Sequence, residues 1–562
     1  MLELEGENPF KVRAYDNAAR AVLAHQGDLA EAVRTRALLR ERGIGAGLLT
    51  SIETLLRTGG LPLHDELRAR FPPGLRACLG IPGLGARKVK ALFDALGVDS
   101  LEALERACLE GTLDSVRGFG PRSAEKILKG IALLRTARGL HRYPAARARA
   151  EEALAALRRT ELARRLELAG SLRRRREVIR DIDLVASSER PGELGEAFQK
   201  LPGVSEVLGA GDTKVSVRFA DGLAADLRLV TEEEFPAALL HFTGSKEHNT
   251  ALRGRAKRRG LKLNEYGLYG EATGDKLPCA TEEQIYAALG LDFIEPELRE
   301  NRGEIEAAEE GRLPRLLRSE ELRGLIHIHT TESDGRDALE DMVGAVRKAG
   351  YRWAVITDHS KSAAYARGLT EERALRQREA IRSLELDSPG FRIFHGTEAD
   401  ILADGSIDFG DEFLGAFDLV VASVHSRFGL SPEEQTRRLV RAVENPRVAV
   451  LGHPTGRLLL EREGLQVDLD RVVEAAARAG CALEINASPH RLDLDWRLCQ
   501  GAVEKGAIFS IGPDAHSIAE LGHTELGVGI ARKGWITAEA TLNCRSAEEL
   551  EGWLARRRGP RA

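Results

Sequence analysis

In its last third, the chain repeatedly places a histidine directly after a short apolar run. Residues 419–424 are followed by His425 and residues 449–452 by His453, and nine of the fourteen histidines lie from His327 onward. Amphipathic stretches with helical spacing separate the apolar runs, and strand–helix alternation of this kind forms a parallel sheet or barrel. Side chains at the carboxyl ends of barrel strands converge, and imidazole and carboxylate groups bind Zn, Mn and Fe. The pattern therefore predicts a barrel that carries a metal cluster on its strand ends.

Composition limits the class of protein. With 562 residues the chain is too long for a single core, so we expect several domains. The net charge is -5, but arginine runs such as residues 173–176 and 253–259 leave nucleic-acid binding open, although a solvated helix face explains any single run equally well. The six cysteines include no C-x-x-C pair, and the sequence shows no apolar membrane span and no signal peptide. We therefore expect a cytoplasmic protein that binds no membrane.

The first 135 residues or so have the apolar spacing of helices, interrupted by Gly-x-Gly turns that each precede a helix. The glycines of these turns are Gly43, Gly45, Gly83, Gly85, Gly118 and Gly120. One such turn is more often a helix C-cap, but three of them, two followed by Arg or Lys, favour helix-hairpin-helix modules. Their free backbone N–H groups would grip DNA phosphates without sequence preference, so Gly83, Gly85, Gly118 and Gly120 are predicted DNA-binding residues.

Two aspartates, Asp181 and Asp183, lie on a predicted strand, where a period of two places both carboxylates on one face. Asp226 lies on a second predicted strand that can pair alongside. Three carboxylates on one face can hold two Mg²⁺ ions, which clamp the attacking and leaving oxygens of a phosphoryl transfer. A lone D-x-D is common on surface strands, but here a Gly-Ser turn at residues 170–171 precedes it and Arg174 follows the turn. These groups suit a polyphosphate.

Three segments of the first half occur in the order that is typical of family X DNA polymerases. The segment from Gly170 to Asp183, with Gly-Ser-Leu-Arg-Arg before Asp-Ile-Asp, resembles the family's nucleotidyltransferase signature. Residues 241–249 resemble its nucleotide-pocket motif, and residues 263–267 resemble its thumb motif. With the helical turns, the resemblance covers most of residues 1–300 and implies a template-directed polymerase.

The resemblance implies roles for individual side chains. Asp181, Asp183 and Asp226 would hold Mg²⁺ or Mn²⁺, and Asp226 would also help to activate the primer hydroxyl. Ser171 and Arg174 would bind the triphosphate. The residues implied in nucleotide binding are Gly170, Ser171, Arg174, His241, Phe242, Gly244 and Asn249.

The nucleotide pocket departs from the family pattern at one position. His241 stands where the family usually has tyrosine, which puts discrimination against ribonucleotides in doubt. By the same resemblance Phe242 and Gly244 would line the sugar pocket, Asn249 would touch the incoming nucleotide from the minor groove, and Arg253 would contact the template side as a DNA-binding residue.

A second departure concerns lyase chemistry. Family members that are lyases carry a lysine in the helix after the first hairpin, and this lysine forms a Schiff base with an abasic sugar. Residues 45–52 contain no lysine. We therefore predict weak or absent lyase activity.

Six motifs of the last third, H-x-H, T-D-H, G-x-E, S-x-H, G-H-P and D-A-H, occur in the order of the polymerase and histidinol phosphatase (PHP) domain. This resemblance covers roughly residues 320–560 and implies a distorted (β/α)7-type barrel with up to three Mn²⁺ or Zn²⁺ ions. It also implies hydrolysis of a phosphodiester at a DNA 3′ end. The implied ligands are His327, His329, Asp334, His359, Glu398, His425, His453, Asp514 and His516.

Two departures from the PHP pattern leave every ligand position filled. Leu325 replaces an acid, and Pro513 precedes Asp514. His490 and His523 fall outside the motifs, and we interpret them as surface residues or as residues behind the ligands.

The fold class we expect is multidomain α+β and α/β. The predicted domains are a helical N-terminal domain at 1–78, fingers with helix-hairpin-helix motifs at 79–138, a nucleotidyltransferase palm with a mixed sheet at 139–232, a thumb at 233–300, a linker at 301–320 and the PHP domain at 321–562.

The favoured function is a DNA-directed DNA polymerase for short-gap repair with a metal-dependent 3′–5′ exonuclease. Its partners would be gapped or primer-template DNA and deoxynucleoside triphosphates, and the sequence leaves the oligomeric state open. One alternative is a PHP phosphoesterase or nuclease whose polymerase half mainly positions DNA. A non-enzymatic DNA-binding scaffold is another, which the filled ligand positions disfavour.

Overall fold

The computed structural model describes residues 1–25, 27–40 and 43–558. The chain divides into two compact units, one formed by residues 1–138 with 460–462 and the other by residues 139–459 with 463–562. Among the described helices, none combines the length and the apolar character that crossing a membrane requires.

The first unit is helical, as predicted. Its helices are α1 (Leu2–Glu5), α2 (Pro9–Ala24), α3 (Leu29–Arg34), α4 (Ala46–Thr58), α5 (Pro62–Arg70), α6 (Pro73–Cys78), α7 (Ala86–Leu96), α8 (Leu101–Leu109) and α9 (Pro121–Ala137). Gly83 and Gly118 have φ angles of 78° and 93°, a region that favours glycine. Gly85 and Gly120 then directly precede α7 and α9. A helix-hairpin-helix arrangement therefore occurs at both turns.

The names palm, thumb and barrel are used below for residues 139–232, 233–300 and 321–558. The palm contains β1 (His141–Arg142), α10 (Tyr143–Arg158), β2 (Arg165–Leu168), α11 (Gly170–Arg173), β3 (Val178–Ile179), β4 (Asp181–Ser187), α12 (Pro191–Gln199), β5 (Val204–Ala210), β6 (Lys214–Phe219) and β7 (Ala224–Val230). Its main sheet has the order β2-β4-β7-β6-β5. Only the β4–β7 pair among these described strands is parallel, so the sheet is mixed, as predicted.

The thumb begins with two helices and continues as a hairpin. Its elements are α13 (Phe235–Thr243), α14 (Lys246–Arg258), β8 (Leu261–Asn264), β9 (Gly267–Gly270), β10 (Lys276–Leu277) and α15 (Glu282–Ala288). At the tip of the hairpin, the Asn264 side-chain oxygen accepts hydrogen bonds from the backbone N–H groups of Tyr266 and Gly267 at 3.0 and 3.1 Å. The asparagine therefore stabilises the turn between β8 and β9.

Residues 301–320, predicted as a linker, contain α16 (Glu304–Glu309) and pack against the thumb. Glu304 is fully buried, and its Oε1 lies 2.6 Å from Nδ1 of the buried His248. Glu309 pairs with Arg255 at 2.6 Å. Two of the acids in this stretch, Glu304 and Glu309, therefore have partners on α14.

The barrel alternates strands and helices. Its elements are β11 (Gly324–Ile328), α17 (Leu339–Lys348), β12 (Trp353–Ile356), α18 (Glu371–Leu386), β13 (Arg392–Asp400), α19 (Asp411–Leu414), β14 (Leu419–Ser423), α20 (Pro432–Glu444), β15 (Val450–Leu451), α21 (Leu469–Ala479), β16 (Ala482–Asn486), α22 (Trp496–Glu504), β17 (Phe509–Gly512), α23 (Thr524–Lys533) and α24 (Ala547–Arg558). Within the described residues the sheet has seven strands in chain order, and all of its pairs are parallel. The expectation of a (β/α)7-type barrel is therefore confirmed.

The barrel closes between its first and last strands. Ile328 at the end of β11 pairs in parallel with Ala515, just beyond β17, and the His329 N–H donates to the Ala515 carbonyl at 2.9 Å. At the other end, the buried Asn543 donates to the carbonyl oxygens of Gly324 and Ile511, both at 2.9 Å, and accepts from the Ile511 N–H at 2.8 Å. One amide side chain thus bridges the two strands that must meet for the barrel to close.

Replacing Asn543 with alanine should lower the free energy of unfolding of the barrel by about 3 kcal/mol, because three buried backbone groups lose their partner. Urea unfolding followed by tryptophan fluorescence measures the change. Asn445→Ala is the matched control, since its amide donates to Asp411 at an exposed site. Equal effects of the two substitutions would contradict the closing role of Asn543.

Candidate metal centres

The first candidate centre lies on the palm sheet, where β4 and β7 run side by side. Asp183 of β4 is directly opposite Asp226 of β7, and Asp181 is two residues earlier on the same face. Burial and the neighbouring Asp181 and Asp226 carboxylates raise the pKa of Asp183 to about 7. The structure therefore brings the three predicted carboxylates together, and their mutual repulsion favours a bound cation.

Gly170 is required by the position of Asp183. A Cβ atom on Gly170 would lie 2.0 Å from Oδ2 of Asp183, and the φ angle of Gly170 is 62°. Helix α11 therefore begins against the carboxylate, which only a residue without a side chain permits. Ser171 follows on the same helix.

Two side chains of β6 contact the third carboxylate. Lys214 Nζ lies 2.6 Å from Oδ2 of Asp226, and the Ser216 hydroxyl donates to Oδ1 at 2.6 Å. Sequence analysis did not single out either residue. Their spacing of two on a strand next to β7 is the signal that points to them, because it places both on the carboxylate face.

Arg174 lies between the palm and the end of α13. Its Nε is 3.0 Å from Oε1 of Glu300, and its Nη1 donates to the carbonyl oxygen of Thr243. Gly244 has a φ angle of 70°, and a Cβ there would lie 3.0 Å from Nη1 of Arg174. The structure therefore brings Arg174 and Gly244 together, and it adds Glu300, which the sequence did not indicate.

The remaining pocket residues cluster around α13 and α14. The Asn249 side chain donates to the His241 carbonyl at 2.7 Å, and the His241 ring lies 5.0 Å from that of Phe242. Burial lowers the pKa of His241. Arg253 is exposed one turn after Asn249. Phe242 also packs under the guanidinium of Arg228, 4.5 Å from its ring centre.

The second candidate centre is the histidine cluster at the carboxyl ends of the barrel strands. Glu398 of β13 lies at its middle, buried among five imidazoles. The distances from its carboxylate oxygens to the nearest ring nitrogens are 3.4 Å for His327, 3.7 Å for His329, 2.9 Å for His359, 3.3 Å for His425 and 3.0 Å for His453. A single carboxylate therefore connects strands β11 to β15.

Two further carboxylates complete the cluster. Asp334 Oδ1 lies 3.6 Å from Nε2 of His359 and 3.3 Å from Nε2 of His516. Asp514 Oδ1 lies 3.4 Å from Nε2 of His329. All of the ligands implied by the sequence are thus within one continuous set of contacts.

Three overlapping groups within this cluster have ligand atoms within 4.8 Å of one another. They are His329, Asp334, His359 and His516; His327, His329 and Asp514; and His359, Glu398 and His425. Among the described residues, both ring nitrogens of His329 and Nε2 of His327 are buried without a hydrogen-bond partner. Buried polar atoms rarely lack a hydrogen-bond partner, and a cation at the cluster would bind these ring nitrogens.

Electrostatics at the cluster also fit a cation. Burial and the neighbouring His516 and His359 lower the pKa of His329 to about 3, so this imidazole is neutral and can donate a lone pair. Burial alone would raise the pKa of Glu398, but His327, His425 and His359 hold it well below its usual range. His329 therefore offers a neutral imidazole and Glu398 an ionised carboxylate, the forms that bind metals.

Two acids behind the ligands were not among the predicted site residues. Glu484 lies 2.5 Å from Nδ1 of His327 and accepts from the His453 N–H at 2.7 Å. Asp400 lies 2.7 Å from Nδ1 of His425. Such partners fix the ring orientation of a metal-binding histidine. The signal for Glu484 is an acid inside the apolar run of β16, and Asp400 follows Glu398 by two on one face of β13.

Glu398→Gln should reduce the number of tightly bound Mn²⁺ or Zn²⁺ ions by at least about one per chain, because the amide removes the charge shared by five imidazoles. Elemental analysis after dialysis measures the content. His490→Ala, at an exposed histidine of the same barrel, should keep the full content. Unchanged content in Glu398→Gln would refute the centre.

Asp183→Asn should stabilise the metal-free protein at pH 8 by about 4 kcal/mol and have little effect at pH 4. The folded pKa of Asp183, about 7, exceeds its usual value of 3.8, so ionisation destabilises the wild-type fold as the pH rises between these values. Urea unfolding in EDTA measures this. Asp212→Asn, at an exposed position before β6, is the matched control, and an equal stabilisation at pH 8 by that substitution would contradict the account.

Known proteins resemble the chain over its whole length and in its parts. Residues 238–300 match the DNA polymerase beta thumb family, and residues 75–132 match the SAM-like helix-hairpin-helix tandem family. The chain is 39% identical to the DNA polymerase/3'-5' exonuclease PolX of Bacillus subtilis over 559 residues, which cover 99% of this chain and 97% of that protein.

Relatives of the barrel are shorter proteins. A probable phosphatase of Syntrophotalea carbinolica is 28% identical over 35% of this chain and 83% of its own length. Another, of Shewanella piezotolerans, is 29% identical over 41% of this chain and 92% of its own length. With the near-complete match to PolX, these similarities show that the chain belongs to the bacterial family X DNA polymerases with a C-terminal PHP domain.

Proposed function

We propose that this protein is a DNA-directed DNA polymerase that fills short gaps and also removes nucleotides from DNA 3′ ends. One observation carries the proposal: a single chain, similar to PolX over 99% of its length, contains both a carboxylate trio and a histidine–carboxylate cluster. The trio suits nucleotidyl transfer, and the cluster suits hydrolysis of the bond that transfer makes.

In the polymerase reaction, Asp181, Asp183 and Asp226 would hold Mg²⁺ or Mn²⁺, because carboxylate oxygens are the ligands these hard ions prefer. Bound ions supply positive charge to the attacking and leaving oxygens. Asp226 also accepts the proton of the primer hydroxyl. Before metal binds, Lys214 neutralises part of the Asp226 charge at 2.6 Å.

The incoming nucleotide is bound by residues of the palm and thumb. Ser171 and Arg174 take the triphosphate, with the backbone at Gly170 giving close approach. Phe242 and Gly244 line the sugar pocket. The His241 ring lies beside Phe242, so the space that it leaves for a 2′-hydroxyl decides whether ribonucleotides are excluded.

Contacts with DNA come from both units. Asn249 contacts the nucleotide from the minor groove, and Arg253 contacts the template strand. Gly83 and Gly85 leave the first turn of α7 accessible, and Gly118 and Gly120 do the same for α9, so the backbone N–H groups there bind DNA phosphates.

We propose the domain boundaries at residues 78, 138, 232, 300 and 320. We also expect weak or absent lyase activity, because α4 has no lysine at residues 46–58.

In the exonuclease reaction, the ligand set of the barrel holds up to three Mn²⁺ or Zn²⁺ ions, which its mixture of imidazole and carboxylate groups suits. Such ions activate water and offset the charge that develops on the phosphate. Glu484 and Asp400 orient His327 and His425 for this task. The ring of Tyr365 lies 6.2 Å from His359 and is 70% exposed, so it marks the open side of the cluster.

A second candidate function is a phosphoesterase in which the first half only positions DNA. The similarity of the barrel to probable phosphatases favours it. It differs from the main proposal in one testable respect, since it requires no chemistry at the palm carboxylates.

The double variant Asp181→Ala, Asp183→Ala should abolish primer extension on a gapped duplex, by about a thousand-fold or more, and leave 3′ trimming intact. His359→Ala should have the opposite effect. Gel assays with Mg²⁺ or Mn²⁺ measure both rates. Extension that survives the double variant would refute the polymerase assignment, and trimming that survives His359→Ala would refute the nuclease assignment.

A further inference from the structure

A lysine of the barrel contacts both the palm and the thumb. Lys533, the last residue of α23, has a fully buried side chain whose Nζ lies 2.5 Å from Oε1 of Glu300. The same ammonium group donates to the carbonyl oxygens of Arg174 at 3.0 Å and Glu297 at 3.2 Å. It lies 4.3 Å from the ring centre of Trp496, which covers its remaining side. The contacts therefore fix the position of this cation.

The Glu300 carboxylate contacts three positively charged side chains. Besides Lys533, its carboxylate contacts Nε of Arg174 at 3.0 Å and Nη1 of Arg176 at 3.4 Å. Three positive charges around one carboxylate leave an excess of positive charge on the palm side. Burial lowers the pKa of Lys533 to about 8, with Glu300 opposing the shift, so the lysine is still mainly charged at neutral pH.

The other contact of Arg174 lies next to the nucleotide pocket. Its Nη1 donates to the Thr243 carbonyl, and Gly244 packs beside it. The guanidinium is thus held between Glu300 on one side and the end of α13 on the other. Its position depends on where the Glu300 carboxylate is held.

We propose that Lys533 is a positioning residue for the polymerase reaction: through Glu300 it holds Arg174 in place for the triphosphate, so the barrel helps to set nucleotide affinity at the palm. This proposal rests on the proposed function. Without the ammonium group, the Glu300 carboxylate would be shared by the two arginines alone. It would then neutralise more of their charge and draw Arg174 away from the pocket.

The effect should be confined to the palm site. Helix α23 contacts β16 and β17 from the outside of the barrel, and Lys533 is its last residue. None of the described contacts of Lys533 involves a residue of the histidine cluster. Methionine has a similar length and can fill the same space without charge.

Lys533→Met should raise KM for the deoxynucleotide about ten-fold in single-nucleotide gap filling, since one charge-assisted hydrogen bond to Glu300 is lost. The kcat should change by less than about two-fold, and the 3′ trimming rate of the full-length chain should stay the same. Lys505→Met is the matched control, because its partners, Asp470 and Glu474, both belong to the barrel surface. It should leave KM unchanged.

A second variant covers the case in which Lys533→Met does not fold, shown by loss of both activities. Glu300→Asp keeps the charge but shortens the side chain, and it should raise KM while the trimming rate stays constant. An unchanged KM in a variant that folds overturns the proposal, as does a fall of kcat and trimming together in Glu300→Asp. Failure of the wild type to extend a primer would instead overturn the proposed function itself.

Discussion

Burial of charge is the constraint on which the second unit depends. An ionised group removed from water costs several kcal/mol unless an opposite charge lies against it. Arg299, fully buried in the thumb, pairs with Glu282 at 2.6 Å, and Glu282 also pairs with Arg173 of the palm at 2.6 Å. At the palm, by contrast, Asp181, Asp183 and Asp226 face one another, and Lys214 neutralises only part of their charge, so a cation would neutralise the rest. At the histidine cluster, buried ring nitrogens of His327 and His329 have no hydrogen-bond partner among the described residues, and a cation would satisfy them.

Further ion pairs connect the palm and the thumb to the barrel. Glu177 of the palm pairs with Arg497 of the barrel at 2.7 Å, and Glu297 pairs with Arg532 at 2.7 Å. Leu526 of α23 packs against the hydrophobic cores of both palm and barrel. Because the carboxylate of each pair is buried, removing its arginine would leave an unmatched charge, so the pairs link the three segments. The two candidate centres belong to the same compact unit.

Local patterns predicted the parts that depend on neighbouring residues. The period of two placed Asp181 and Asp183 on one face, and apolar runs followed by histidines indicated barrel strands with converging ends. Contacts between distant residues were not predictable in this way. Glu484 lies 157 residues from the His327 ring it orients, and Lys533 lies 233 residues from Glu300. The charged residues 301–320 suggested a linker for the same reason, because the partners of Glu304 and Glu309 lie elsewhere in the chain.

The central claim is that two opposed reactions at one DNA 3′ end share this chain. Its most direct test follows an α-labelled deoxynucleoside triphosphate on a gapped duplex and measures release of the labelled monophosphate. The wild type should incorporate the label and then release it, and variants of either centre should release none. Release of labelled monophosphate by a variant without palm carboxylates would contradict the account, because the barrel would then be hydrolysing nucleotides that were never incorporated.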